Sequence, residues 1–341
     1  MTYHGWAPAK GTELEQLDTL DRQILAALVR NGRAPWRLIA EVLGQQERTV
    51  ARRGNKLLES GVVRINAFVN PMAVSTKSAF LLRLNVTPRY LSSACSWLAD
   101  LEESAWVSGL AGSNEGVAEV FLPTDGLAEL LYDRLADVDG VQSFTMTPLF
   151  DYFRTPSGWR PDVLDRDQYN ALHTDEDGRL ARPLGHHGPL DETNHMIARH
   201  LQNNGRATVD EIASELGVSK ATVSRRLDTM TGSGALFIRA VLDLNLFGFP
   251  LESLLTISCA GGKTQELGEY LAGLSVTRWA AASGDQLHAQ VAAATMDDLR
   301  ILVNELHGRE DVVSARSSMF AEVFKRSTVR YRNGLPDVAV A

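Results

Sequence analysis

The 341-residue chain repeats itself. Asn31-Gly32-Arg33-Ala34 recurs as Asn204-Gly205-Arg206-Ala207, an offset of 173 residues. The same slide pairs Asp18 with Asp191, Leu43-Gly44 with Leu216-Gly217, Thr49-Val50 with Thr222-Val223, Arg52-Arg53 with Arg225-Arg226 and Gly61 with Gly234. Between residues 28–53 and 201–226, 13 of 26 positions are identical. Such density means duplication, and so long a period makes each copy domain-sized rather than a solenoid turn. Whatever this chain folds into, it builds twice.

The first ~60 residues of each copy read as helices. Asp18 is placed to cap a helix whose apolar stripe is Leu20, Ile24, Ala27 and Leu28, and Asn31-Gly32 stops it. A short second helix carries Leu38, Ile39 and Val42 and ends at Gly44. A tight turn leads to a third helix, then Gly61 and the β-rich run at 62–71. Copy two repeats the plan with a capping box, Thr208 to Glu211, and with Ser219 capping its third helix. Helix, turn, helix and a following strand pair make a winged helix-turn-helix, whose third helix enters the major groove.

Val50 and Val223 fall on the inward face of the third helices. Arg48, Thr49, Arg52, Arg53 and Lys56 in copy one, and Ser219, Lys220, Thr222, Ser224, Arg225 and Arg226 in copy two, are the expected DNA contacts. Arginine forks suit phosphates and guanine edges, and hydroxyls at helix starts suit phosphates. One such helix alone reads as a solvated face; two, at matching places in an acidic chain, read as nucleic-acid contacts. The copies differ. Copy one has Gln46 where Ser219 caps, and Gly54 where Leu227 packs, a loss of about 1 kcal/mol of helix propensity besides the packing. The second recognition helix is therefore expected to be the better formed.

The remaining part of each copy reads strand, helix, strand, strand, helix, strand. In copy one these are 79–86, 88–101, 106–111, 117–122, 127–135 and 141–151; in copy two, 253–259, 264–274, 276–282, 287–293, 296–306 and 312–324. That order is a ferredoxin-like βαββαβ unit. One sheet face carries helices, and a second such sheet is the economical cover for the other. The fold class is thus α+β: two winged helix-turn-helix domains and two ferredoxin-like βαββαβ domains. The expected boundaries are 1–74, 75–155, a linker at 156–188, 189–248, 249–330 and a tail at 331–341. The linker is assigned from its Pro, Gly, Asp and Arg content.

Composition narrows the function. With 44% apolar residues the chain is an ordinary globular protein, and a net charge of −8 confines any DNA contact to local patches. Cys95 and Cys259 form no CxxC, the N-terminus lacks a signal-peptide pattern, and no apolar run is long enough for a membrane helix. A cytoplasmic protein without membrane contact is expected. Gly261-Gly262-Lys263-Thr264 resembles the end of a phosphate-binding loop but has Ile257 where the first glycine belongs. His186-His187 has no nearby metal-ligand partners in sequence, and there is no GxSxG or HExxH. No catalytic residue, metal or cofactor is assigned.

The LDxxD opening at 17–21, the NGR, A-x-x-LG and TV-x-RR motifs and the βαββαβ tail together resemble the Lrp/AsnC family of transcription regulators, twice over. The resemblance implies a fused pseudo-dimer that binds double-stranded DNA, responds to a small effector such as an amino acid, and forms homo-oligomers of fused chains. It implies an effector loop of glycine, polar residues and an acid. That is Gly112, Ser113, Asn114 and Glu115 in copy one. In copy two it falls on Gly284, Asp285, Gln286 and His288, with the acid displaced. The same glycines also serve simply as hairpin turns. Siroheme decarboxylase, an enzyme of similar architecture, is the alternative; its resemblance calls for a histidine near Trp106 or Trp279, and neither neighbourhood has one.

Overall fold

The computed structural model describes residues 17–172, 188–332 and 334–337. His186 and His187 lie outside them. Copy one opens with α1 (Thr19–Arg30), α2 (Trp36–Val42) and α3 (Glu47–Glu59), followed by β1 (Val63–Val69) and a single turn, α4 (Pro71–Val74). Asp18 caps α1 through a reciprocal box with Asp21, and Gly44 turns the chain out of α2 at φ +63°. Next come β2 (Ser78–Val86), α5 (Leu91–Asp100), β3 (Ser104–Leu110), β4 (Glu115–Leu122), a π-wound segment (Glu129–Arg134), β5 (Val141–Leu149) and β6 (Asp151–Arg154).

After α6 (Arg166–Ala171), copy two gives α7 (Glu192–Asn203), α8 (Val209–Leu216), α9 (Lys220–Gly232) and β7 (Leu236–Leu242). It continues with β8 (Leu251–Cys259), α10 (Thr264–Gly273), β9 (Thr277–Ser283), β10 (Gln286–Ala293), α11 (Met296–His307), β11 (Val312–Arg326), β12 (Val329–Arg332) and β13 (Leu335–Pro336).

The two halves are α+β, each with a helix-turn-helix and a ferredoxin-like unit, but the wing differs from expectation. Each copy supplies one strand, and the strand pair forms between copies: β1 runs antiparallel to β7. Asn66 pairs with Arg239, its own equivalent at the offset of 173, so a pseudo-twofold axis passes through that pair. A lone strand leaves its N–H and C=O groups unpaired, and the other copy is the nearest partner.

The ferredoxin-like sheets run β5-β2-β4-β3 and β8-β10-β9, the second completed by the first part of β11. Their final strands then exchange. The end of β11 pairs with β3 of copy one, and β6 pairs with β9 of copy two. Helices cover the outer faces, where Leu98 and Leu130 pack on one sheet and Leu267 and Leu302 on the other. The inner faces meet each other within the chain around Leu81, Trp106, Leu254 and Trp279.

The helical cores are shared as well. Leu242, Leu244 and Leu246 of copy two pack into the first three-helix core, and Ala67, Ala73 and Val74 of copy one pack into the second. Two boundaries need correcting. The start of the expected linker is a packed strap: Trp159 and Leu172 are buried in the first helical core, and Trp159 Nε1 donates to Ser275 O at 3.0 Å. A composition reading sees the prolines and glycines there and misses two apolar anchors. The expected tail begins as the β12–β13 hairpin, with Tyr331 buried and its hydroxyl donating to Leu242 O at 2.9 Å.

Candidate nucleic-acid interface and interdomain cavity

α3 and α9 each bury one face and expose the other. Val50, Gly54 and Leu57 of α3 and Val223, Leu227 and Met230 of α9 point into their cores. Arg48, Arg52 and Lys56 are exposed on α3, as are Lys220, Ser224 and Arg225 on α9, while Thr49 and Thr222 are half-buried. Ser219 caps α9 by accepting from Thr222 N at 3.1 Å, and its hydroxyl lies 2.8 Å from that of Thr222. Gln46 makes no side-chain cap on α3. Lys220 meets Asp210 at 2.6 Å with both groups mostly in solvent.

Two of the expected contacts do something else. Arg53 reaches back to Asp18 at 2.7 Å and Asp21 at 3.0 Å, and Arg226 reaches Asp191 at 2.6 Å and Asn194 at 3.0 Å. These pairs fasten each recognition helix to the capped end of the first helix. The backbone N–H of Asp21, with Arg53 assisting, holds the Asp18 carboxyl below its ordinary range; Arg226 does the same for Asp191. The RR doublet is thus one outward arginine and one inward clamp. Helical spacing separates adjacent residues by about 100°, so the two cannot share a face.

Gly54 also departs from its expected effect. A Cβ there would lie 2.3 Å from Cη2 of Trp36, so the indole occupies the space a side chain would take. In copy two, Val209 stands for Trp36 and Leu227 for Gly54. One copy packs large against small and the other packs two mid-sized groups, leaving no packing deficit in α3.

The NGR motif, the clearest mark of the repeat, joins the two halves. Arg33 Nη1 donates to Gly205 O at 2.7 Å, and Arg206 returns bonds to Gly32 O at 2.7 Å and Ala34 O at 3.0 Å. Arg206 also lies over the Trp36 ring, 4.2 Å from its centroid. Gly205 N donates to Ile65 O at 2.8 Å, an approach so close that a Cβ would lie 2.8 Å from that carbonyl. Reciprocity was available as a signal: an arginine repeated at a loop, off both recognition helices, has no DNA to read.

The hairpin turns put Gly112, Asn114, Gly284, Asp285 and Gln286 in solvent, with Ser113 and Glu115 half-buried and 3.3 Å apart. Copy two's turn is two residues shorter, which aligns Gln286 with Glu115 and leaves Asp285 in the turn itself. His288 does not belong with them. It sits inside β10 opposite Thr256 and Ala281, 3% exposed, with neither ring nitrogen hydrogen-bonded, and burial beside Arg83 pushes its pKa down to about 4. Strand alternation turned it inward.

None of these residues lines the cavity of about 70 Å³ beneath the β1–β7 ribbon. Its walls include Phe68, Trp106, Glu119, Trp279 and Gln290, and Glu119 and Gln290 are equivalents under the repeat. Trp106 and Trp279, another such pair, meet edge-on with centroids 5.5 Å apart. Glu119 is 5% exposed; its Oε1 accepts from Tyr152 at 2.6 Å and from Trp279 Nε1 at 3.1 Å. Sequence alone hides this acid, which falls mid-strand between Ala118 and Val120 with no motif around it.

Burial raises Glu119 to a pKa of about 6 against the pull of those two donors. The native state then holds this proton more tightly than the unfolded chain. The stabilisation is full below about 4.5 and is lost as pH rises through about 6. Glu119→Gln is expected to raise stability at pH 7 by roughly 1–2 kcal/mol and to flatten its pH dependence across that window. Urea unfolding at stepped pH checks this, and a less stable variant at pH 7 would refute it.

A family model, the AsnC-type helix-turn-helix domain, matches residues 17–58 and again 190–231. An uncharacterized HTH-type transcriptional regulator of Pyrococcus furiosus is 30% identical over 129 residues, 37% of this chain and 87% of that protein. The HTH-type transcriptional regulator FL11 of Pyrococcus abyssi is 30% identical over 127 residues, 37% of this chain and 84% of that protein. Among solved structures, the siroheme decarboxylase NirDL superposes with a TM-score of 0.58 at 13% identity, covering 91% of this chain and 93% of its own. That likeness is one of fold.

Proposed function

The chain belongs to the Lrp/AsnC family of helix-turn-helix transcription regulators, and from that premise we propose that it binds double-stranded DNA sequence-specifically as a single-chain pseudo-dimer. α3 and α9 enter successive major grooves. The contacts come from Arg48, Thr49, Arg52 and Lys56 on one helix and Ser219, Lys220, Thr222, Ser224 and Arg225 on the other. Arg53 and Arg226 set the angle of those helices. The reading rests on one observation: two cationic helix faces stay exposed while inward clamps, a shared ribbon and the reciprocal arginines hold them in one frame.

The pseudo-twofold relation makes the matching DNA site an imperfect palindrome. A small effector, an amino acid or a relative of one, tunes this binding. The two hairpin turns are the proposed contacts where a second chain packs on them. The chain acts in the cytoplasm and forms oligomers through outer strands such as β5, whose Phe144 is exposed.

Fluorescence anisotropy on the chain's own upstream DNA tests the proposal. Binding is expected to be at least about 10³-fold tighter than to scrambled DNA, and to weaken steeply between low and physiological salt. Binding indifferent to sequence and salt would overturn it. The fold shared with the decarboxylase does not carry that enzyme's chemistry. A tetrapyrrole absorption shift on adding siroheme would bring the enzymatic reading back.

A further inference from the structure

The cavity beneath the ribbon differs from the hairpin turns in one respect that points to a ligand. Three guanidinium N–H groups on its lining residues are buried without a hydrogen bond: Arg278 Nε, and Arg326 Nε and Nη1; Trp106 Nε1 is turned toward the Glu119 carboxyl. All three are donors. Arg326 is 8% exposed and is anchored from behind, its Nη2 bonded to Glu252. Glu252 also faces Arg278 Nη1 at 3.7 Å. One carboxylate thus steadies two guanidinium groups without using up their donors. Natural interiors seldom leave buried donors unmatched, and these sit on two arginines that line both this cavity and the space adjoining it, a fitting place for an acceptor.

The rest of the lining is largely aromatic and aliphatic, with Glu119 and Gln290 as polar points beside the indoles. Phe68 and Phe237, paired in register across the ribbon, form the roof beneath the Arg239 guanidinium, and the two indoles form the floor. An adjoining space of about 30 Å³ opens on the far side of the same arginines. Apolar walls with a few convergent polar groups are what small-molecule sites share. Room of this size excludes a tetrapyrrole.

We propose that this cavity binds a small carboxylic acid with an apolar body, its carboxylate on Arg278 and Arg326 and its body between the Trp106–Trp279 pair and the ribbon. This goes beyond the effector contacts proposed at the hairpin turns: it is a second site, on the pseudo-twofold axis. Because Phe68, Phe237 and Arg239 belong to the ribbon that joins the two helix-turn-helix units, occupancy changes what the ribbon rests on. That regulatory consequence depends on the DNA-binding reading; the binding itself does not.

The test uses the full chain and three probes: benzoate, isovalerate and the uncharged isostere benzamide. Tryptophan emission reports directly, since both indoles line the site. Benzoate or isovalerate is expected to give a saturable emission change and a higher melting temperature, with benzamide at least about tenfold weaker. Ala105→Leu, which fills the cavity without touching the arginines, is expected to abolish the response. Three results would overturn the site: no saturable response to either acid up to about 20 mM, an equal response to benzamide, or full binding by the filled variant. If the filled variant does not fold, the benzoate–benzamide comparison on the unaltered chain still decides. Acid binding that leaves DNA affinity unchanged keeps the site and removes its regulatory role. Failure of DNA binding with acid binding intact rejects the regulator reading instead.

Discussion

Replacing Gly54 with leucine, the residue at the equivalent place in copy two, is expected to destabilise the first helix-turn-helix by about 2–3 kcal/mol despite the gain in helix propensity. Judged by propensity, the change should help, because glycine inside a helix costs up to about 1 kcal/mol. The structure reverses the sign: the Trp36 indole already lies where the new side chain must go, and Arg206 closes the other side of that ring. The compensated pair Trp36→Val with Gly54→Leu copies the Val209–Leu227 arrangement and is expected to recover most of the loss. Denaturant unfolding of the three variants separates the effects. A single Gly54→Leu change that stabilises the chain would mean that Trp36 moves aside at no cost.

The second large effect concerns DNA. Arg48→Ala with Arg52→Ala is expected to weaken binding roughly 100-fold and to lower the slope of affinity against salt by about two, as befits two lost phosphate or base contacts. Arg53→Ala is the internal control. It removes one positive charge, a residue beyond Arg52, but its guanidinium is turned toward Asp18 and Asp21. That variant is expected to keep the salt slope and lose affinity only modestly, through a looser α3. Lys220→Ala with Arg225→Ala makes the matching change on α9, where Ser219 already stiffens the helix start. Anisotropy titrations at several salt concentrations read all of these. Should Arg53→Ala lower the salt slope by about one, as a single lost contact would, the clamp assignment is wrong.

How much of this was visible beforehand depends on the range of the interaction. The order of elements and their strand and helix types follow from local patterns, and the duplication announces itself in the NGR and RR motifs. What stayed hidden lay between the halves. The wing looked like a strand pair within each copy because periodicity reports a strand and never its partner; pairing Asn66 with Arg239 needs the pseudo-twofold axis. Gly54 looked like a defect because Trp36 lies 18 residues away, on another helix. Trp159 and Leu172 looked like linker because anchors in a proline-rich stretch have no period. Of the candidate site, the exposed cationic residues were legible from helical spacing. Glu119 was not, because a lone acid in an apolar strand acquires meaning only from the second sheet that covers it.

The mutual completion of the two helical cores has a genetic consequence. When a pair of recognition helices is assembled from two separate chains, a damaged copy mixes with sound ones and spoils the pairs it joins. Here each chain brings both of its own halves, with Leu244 already seated under one unit and Val74 under the other. An allele that loses one recognition helix should therefore cripple its own product and leave its neighbour's paired helices intact. At the level of the paired unit, such a lesion is expected to be recessive.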